Sequence, residues 1–258
     1  MPYLVIPGSF APKCPKYAKG ELPVNVHSIS YCRCNFNCEF CFFKYYKDTN
    51  KYIDYSEEQF ECLVQKLLPS GKMFKFTGGE PTLNGDLIRD LLIVKKSGGL
   101  CFLDTNGSSP RLVRELLKRK LVDLFGISLK GLTEQEAVRR SGVRNSRLCW
   151  DNVLESMSLI SDDPSCDLIA TYVCYDDFEL DDLIAFSNIL DKFDNVYLKI
   201  NNYQPNQDHP TPGLNPKPPI QLHKLLKEFL LTHPSWKDRI TLVDGPKAVS
   251  ELKEVKLM

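Results

Sequence analysis

The sequence predicts an α/β fold built from six successive β/α units. Three observations lead there. Between residues 24 and 201, short apolar runs alternate with segments whose apolar residues recur at helical spacing, and such alternation forces parallel strands joined by right-handed crossovers. Six units are too few to close an eight-fold barrel, so the expected architecture is open, a (β/α)6 partial TIM barrel. The motifs richest in cysteine, glycine and charge each fall just after an apolar run, at the strand ends where barrels carry their chemistry.

The elements follow in order along the chain. Residues 1–23, rich in Pro and Lys, are expected to form an extended arm. Residues 24–30 alternate and read as the first strand. The spacing predicts a helix over 56–68, with Ser56 as its N-cap. Strands are expected at 72–77, 100–104, 122–129, 167–175 and 196–201. Helices are expected at 85–96, 110–120, 147–161 and 180–192; Pro110 suits a first helical position. Residues 203–219 hold six prolines and are expected to be a loop or linker, either a platform at the barrel mouth that reaches only the outer pocket or a mere connection to the last helix. A helix at 220–231 and a short strand at 240–243 follow. The expected organisation is therefore an arm (1–23), a barrel (24–204) and a proline-rich loop with a C-terminal helical extension packed on the barrel (205–258).

The bulk properties narrow the function. Hydrophobic residues make up 43%, and 33 basic residues balance 33 acidic ones. This balance does not indicate a broad nucleic-acid or anionic-membrane surface. The longest apolar stretch, 121–129, is interrupted by Asp123 and is far too short to span a bilayer. Residues 1–10 show no basic segment ahead of an apolar core, so no secretion signal is expected. The ten cysteines are then expected to be reduced thiols or metal ligands in the cytoplasm. Cys62, Cys101 and Cys174 sit in apolar patterns and read as small core residues.

Cys34-Asn-Phe-Asn-Cys38-Glu-Phe40-Cys41 follows the first strand. Three thiolates on a short loop can converge on one face of an iron–sulfur cube, leaving one iron open to a further ligand. The competing reading is a four-cysteine zinc site that includes Cys32. Structural zinc usually takes two separated cysteine knuckles, and no second cysteine pair occurs downstream. Cys32 reads as a strand-end residue.

Three more motifs follow later strands. Gly78-Gly79-Glu80-Pro81 offers a carboxylate and two small residues that let backbone carbonyls approach a ligand, although alone it is an ordinary turn. Asp104-Thr105-Asn106-Gly107 ends the third strand and could equally be a capping loop. Ser128-Leu129-Lys130 ends the fourth; alternation puts Ser128 and Lys130 on one face, opposite Leu129, although Lys130 could equally begin a solvated loop. The four histidines show no ligand spacing.

Together these motifs resemble the radical SAM superfamily, and most nearly the activating enzymes of glycyl-radical enzymes. The resemblance runs from about residue 24 to residue 204. It implies a [4Fe–4S] cluster held by Cys34, Cys38 and Cys41, with S-adenosylmethionine (SAM) chelating the open iron. It implies that Phe40, Gly78, Gly79, Glu80, Asp104, Thr105, Asn106, Ser128 and Lys130 lie around SAM: Glu80 at the ammonium, Asp104 and Thr105 at a cation, Asn106 near the sulfonium, Lys130 at the carboxylate. It implies one-electron cleavage of SAM to methionine and a 5′-deoxyadenosyl radical, which takes a hydrogen atom from a substrate. A reductant such as flavodoxin or ferredoxin is the implied partner, with a protein, peptide or small molecule as substrate and no membrane. Two departures stand out. The activases have Asp where this chain has Ser128, and the segment before Cys34 lacks their Gly-rich run. The alternatives are therefore a radical SAM enzyme acting on a peptide, nucleotide or other small molecule, or a zinc or iron–sulfur module without catalysis.

Overall fold

A computed structural model describes residues 26–41, 53–205 and 211–243, together with the backbone of residues 2–9. Among the described residues, one sheet of nine strands organises the fold: β1 (Pro2–Ser9), β2 (Val26–Tyr31), β3 (Ile53–Asp54), β4 (Met73–Gly78), β5 (Leu100–Thr105), β6 (Leu124–Leu129), β7 (Asp167–Cys174), β8 (Val196–Asn202) and β9 (Ile240–Val243). The spatial order is β3-β1-β2-β4-β5-β6-β7-β8-β9. From β2 through β4 to β9 the strands run parallel, while β1 is antiparallel to β2 and β3. The helices are α1 (Glu57–Leu67), α2 (Leu87–Lys96), α3 (Pro110–Lys118), α4 (Glu134–Ser141), α5 (Ser146–Cys149), α6 (Asp151–Ser161), α7 (Leu180–Leu190) and α8 (Pro219–Thr232). This is the α/β partial-barrel fold that the alternation predicts, with β9 as a seventh parallel strand.

Alternation along each strand sorts its residues onto two faces. Ile29, Phe74, Phe76, Leu103, Phe125, Ile127, Leu168 and Leu198 face the helices and are buried in the main core. On the other face Val26, Met73, Phe102, Leu124 and Ile169 form a separate apolar cluster near the N-terminal ends of their strands. Further along that inner face come Lys75, Thr77, Asp104, Ser128, Thr171 and Lys199. The lumen is thus apolar at its floor and polar toward the mouth, where the loops carrying the motifs gather.

Local signals explain most element ends. Ser56 caps α1 in a full capping box with Gln59, and Pro110 opens α3. Four features depart from the sequence expectation. Residues 2–9 of the arm add a strand to the sheet edge. The helix expected over 147–161 breaks at Trp150 (φ −128°, ψ −72°) into α5 and α6. Helix α4 was not expected at all: Thr133 accepts from the Glu136 N–H at its start, and Gly142 ends it in the left-handed conformation. Cys62 is exposed rather than a core residue, whereas Cys101 and Cys174 are buried. It lies on the outer side of α1, where burial of Phe60 and Val64 turns position 62 to solvent.

Candidate functional site

The cysteine loop leaves β2 and lies against the loop that leaves β4. The N–H of Gly79 donates to the Tyr31 carbonyl at 2.6 Å, and that of Glu80 to the Arg33 carbonyl at 2.6 Å. The approach requires glycine. A Cβ on Gly78, whose φ is +99°, would meet Tyr31 backbone atoms, and one on Gly79 would overlap the Arg33 carbonyl.

Cys38 is buried, and Cys34 and Cys41 are half-buried, packed with Phe36, Phe40, Ala137 and Cys149 in a small apolar cluster. Burial pushes the Cys34 and Cys38 thiols up, and their proximity to each other and to Cys41 adds to this; Lys130 opposes it. Cys32 does not figure among the main influences on either thiol. Among the described residues, no three His, Cys, Asp or Glu side chains close on a point that would take a single metal ion. A four-iron cube makes a different demand, because each thiolate meets its own iron. Three mutually close thiols on one loop, with a cation beside them to favour the thiolates, fit that demand.

Glu80 sits behind this junction, 1% exposed. Its Oε1 accepts from the Thr82 N–H (3.0 Å), Thr82 Oγ1 (2.6 Å) and Thr105 Oγ1 (2.6 Å), and its Oε2 from the Asn106 N–H (2.6 Å). Burial pushes its pKa up, against these donors. The carboxylate therefore ties the β4 loop to the β5 loop. Asn106 extends the tie to the cysteine loop: its Nδ2 donates to Asn35 Oδ1 at 2.8 Å, and Asn35 Nδ2 donates to Ser108 Oγ at 2.9 Å. Helix α6 supports the same loop from below, Ser156 donating to the Gly107 carbonyl and Asn152 to the Ser108 carbonyl.

Asp104 points into the lumen and meets Lys75 Nζ at 2.6 Å and Thr77 Oγ1 at 3.3 Å. Burial opposes its ionisation, but Lys75, with Lys199 and Lys130, holds its pKa below the usual aspartate value. The ammonium beside Asp104 is thus this chain's own Lys75, which sequence reasoning did not single out. Lys130, 8% exposed, stands over the Phe40 ring at 5.5 Å. Leu129 lies in the outer core, so Ser128 and Lys130 share the inner face as expected.

Arg140, on α4, is a buried charge beside the cysteine loop that sequence reasoning missed. It is 1% exposed and is boxed by Phe40, Tyr172 and Tyr175, whose ring centroids lie 5.1, 4.6 and 4.3 Å away. It pairs with Glu136 at 2.9 Å and approaches Glu39 at 3.6 Å. The loop itself hydrogen-bonds the end of α4, through Asn37 N–H to Ser141 and Glu39 N–H to Arg140. The available signal was the Thr-x-x-Glu start and glycine end of α4. The proline-rich segment also comes closer than expected: Thr211 Oγ1 donates to the Glu39 carbonyl at 3.0 Å, and Lys217, 3% exposed, pairs with Glu179 at 2.9 Å. It therefore supports the cysteine loop instead of reaching only an outer pocket. Residues 206–210 lie outside the described residues.

A partial barrel with a three-cysteine loop and a Gly-Gly-Glu loop joined at its mouth defines a class of enzyme fold. The chain belongs to the radical SAM superfamily, whose family model matches residues 28–186; the cofactors of that family are a [4Fe–4S] cluster and SAM. A protein of Methanocaldococcus jannaschii assigned as a glycyl-radical enzyme activating enzyme is 28% identical over 45% of this chain and 43% of its own length. Fe-coproporphyrin III synthase of Methanosarcina barkeri is 30% identical over 46% of this chain and 30% of its own. The matches thus span less than half the length of these curated relatives. The crystal structure of Streptococcus suis SuiB bound to S-adenosylmethionine superposes with a TM-score of 0.64 at 17% identity, covering 84% of this chain and 49% of that one. Among the described residues, no helix is long and apolar enough to cross a membrane.

Proposed function

We propose that Cys34, Cys38 and Cys41 hold a [4Fe–4S] cluster at which SAM accepts one electron and splits into methionine and a 5′-deoxyadenosyl radical, which takes a hydrogen atom from a substrate. The observation that supports the reading is the junction of the three-cysteine loop with Gly78–Glu80 at the barrel mouth. In this reading Lys130 receives the SAM carboxylate and Ser128 lines the same face. Gly78, Gly79 and the Glu80 carboxylate serve the ammonium. Asp104, Thr105 and Asn106 form the wall, and Phe40 covers the cluster side. In this reading residues 24–204 constitute the catalytic barrel, 1–23 an arm before it and 205–258 an extension after it; of these, residues 10–25, 42–52, 206–210 and 244–258 lie outside the described residues. The electron comes from a reductant of the flavodoxin or ferredoxin class, and a cytoplasmic location keeps the thiols reduced.

The test is elemental and chemical. Anaerobically prepared protein is expected to bind about four irons and four sulfides per chain, as one cube requires, and to release 5′-deoxyadenosine from SAM under dithionite. Replacing Cys34, Cys38 or Cys41 by Ala removes the iron; Cys32→Ala keeps it. Zinc in place of iron, or a cluster-loaded chain that leaves SAM intact, overturns the reading.

For the substrate, activation of a glycyl-radical enzyme is the first reading, supported by the Asp-Thr-Asn-Gly and Ser-Leu-Lys segments and the M. jannaschii relative. A second reading, a peptide, nucleotide or other small molecule, is favoured by Ser128 standing where activases have Asp and by the comparably similar porphyrin-forming relative. A glycyl radical seen by electron paramagnetic resonance on a co-incubated glycyl-radical enzyme separates the two.

A further inference from the structure

The inner face of β6, β7 and β8 carries a polar row that the SAM-facing loops leave largely unused. Ser128 is in register with Thr171, and Thr171 with Lys199, so the three side chains stand abreast on the lumen side. Ladder hydrogen bonds satisfy their backbones. Among the described residues, no hydrogen bond or ion pair engages Ser128 Oγ, Thr171 Oγ1 or Lys199 Nζ. All three are half-buried and stand above the apolar floor that includes Leu124, Ile169 and Tyr197. One step above Lys199 on the same face, Asn201 has a buried Oδ1 without a partner.

The charge in this part of the lumen does not balance. Asp104 is matched by Lys75 at 2.6 Å, and Lys199 is a second ammonium close enough for both to affect it. Lys130 also acts on Asp104 but is assigned to the SAM carboxylate; the remaining two ammonium groups against one carboxylate leave one positive charge. Burial and then Lys75 pull the Lys199 pKa down to about 8, with Asp104 opposing. An ammonium in such a place is stabilised by an anion, and the neighbouring hydroxyls supply two further donors. A single excess charge matches a carboxylate, whereas a phosphate monoester carries about −1.5 to −2 at neutral pH.

We propose that Lys199 and Thr171, with Ser128 at the border of the SAM half, bind a carboxylate group of the substrate inside the barrel. The inference rests on the barrel mouth being the reaction chamber. It is tested without turnover, so its failure is distinguishable from failure of SAM cleavage. The cluster-loaded full chain is reductively methylated with formaldehyde and an amine-borane, and the rate at each lysine is read by peptide mass spectrometry. Propionate is the probe, propionamide its neutral control. Only neutral amine reacts, and a bound carboxylate holds Lys199 as ammonium. Propionate is expected to slow methylation of Lys199 at least about five-fold, as one charge-assisted hydrogen bond allows, while propionamide leaves it unchanged and exposed Lys118 is unaffected by either. Thr171→Val is expected to weaken the protection by about three-fold or more. Equal protection by propionate and propionamide, equal effects at Lys118, or full protection in Thr171→Val overturns the proposal. Stronger protection by inorganic phosphate than by propionate also overturns it, in favour of a phosphorylated substrate.

Discussion

Glu80 accepts four hydrogen bonds from Thr82, Thr105 and Asn106, so its loss affects the barrel mouth before it affects any ligand. Glu80→Gln turns one acceptor into a donor facing donors and leaves at least one N–H or O–H unpaired. The expected cost is about 1–3 kcal/mol, read as a lower urea midpoint at unchanged slope; an unchanged midpoint would show that the carboxylate is not the tie between the two loops. Asp104 gives a pH signature. Its folded pKa lies below its ordinary value of 3.8, so the stability it contributes is fully present above that ordinary value and is lost as pH falls through the folded one. Asp104→Asn, which leaves Lys75 without its partner, is therefore expected to be less stable than the wild type at neutral pH, with the gap narrowing in acid. A gap independent of pH would mean that the ion pair with Lys75 contributes nothing. Sequence reading found both residues but not their partners, because Lys75 and Thr105 meet them only across strands.

Helix α4 is where element and site are joined. It has a weak apolar stripe, and its buried residues include a charged one, Arg140, so periodicity alone could not find it. Folded, it delivers a guanidinium into a box of three aromatic rings and two carboxylates under the cysteine loop. Burial pushes the Tyr172 and Tyr175 phenols up, so they stay neutral donors, to Glu136 and Glu39 respectively. Arg140→Met keeps much of the volume but removes the charge, leaving Glu136 and the Val173 carbonyl without it. The expected loss is about 2–4 kcal/mol, below the full figure for a buried pair because both carboxylates are partly exposed. It should also speed loss of iron to a chelator, measured against the Cys32→Ala protein. Iron retention equal to that control would show that α4 supports the fold without supporting the loop.

At the scale of the molecule, the loop that carries the thiols touches five separate regions among the described residues: the β4 loop, the β5 loop, α4, Tyr175 after β7 and the segment after β8. A ligand held by that loop therefore stabilises contacts that span most of the barrel. Cluster-loaded protein is expected to unfold several degrees above the cluster-free form by mass action, and Cys34→Ala should abolish the difference. A melting temperature indifferent to cluster loading would mean that the loop orders independently of it. The amino-acid pattern alone made legible the β/α alternation, the parallel run of the strands and the three-cysteine and Gly-Gly-Glu loops, since these rest on local periodicity and on motifs placed after strands. It also determined that Ser128 and Lys130 share a face. Folding had to be seen before Lys75 could be placed at Asp104, Arg140 at the Phe40 ring, and Ser128, Thr171 and Lys199 in one row. Those contacts join residues far apart in the chain, through strand register and helix docking that no local pattern encodes.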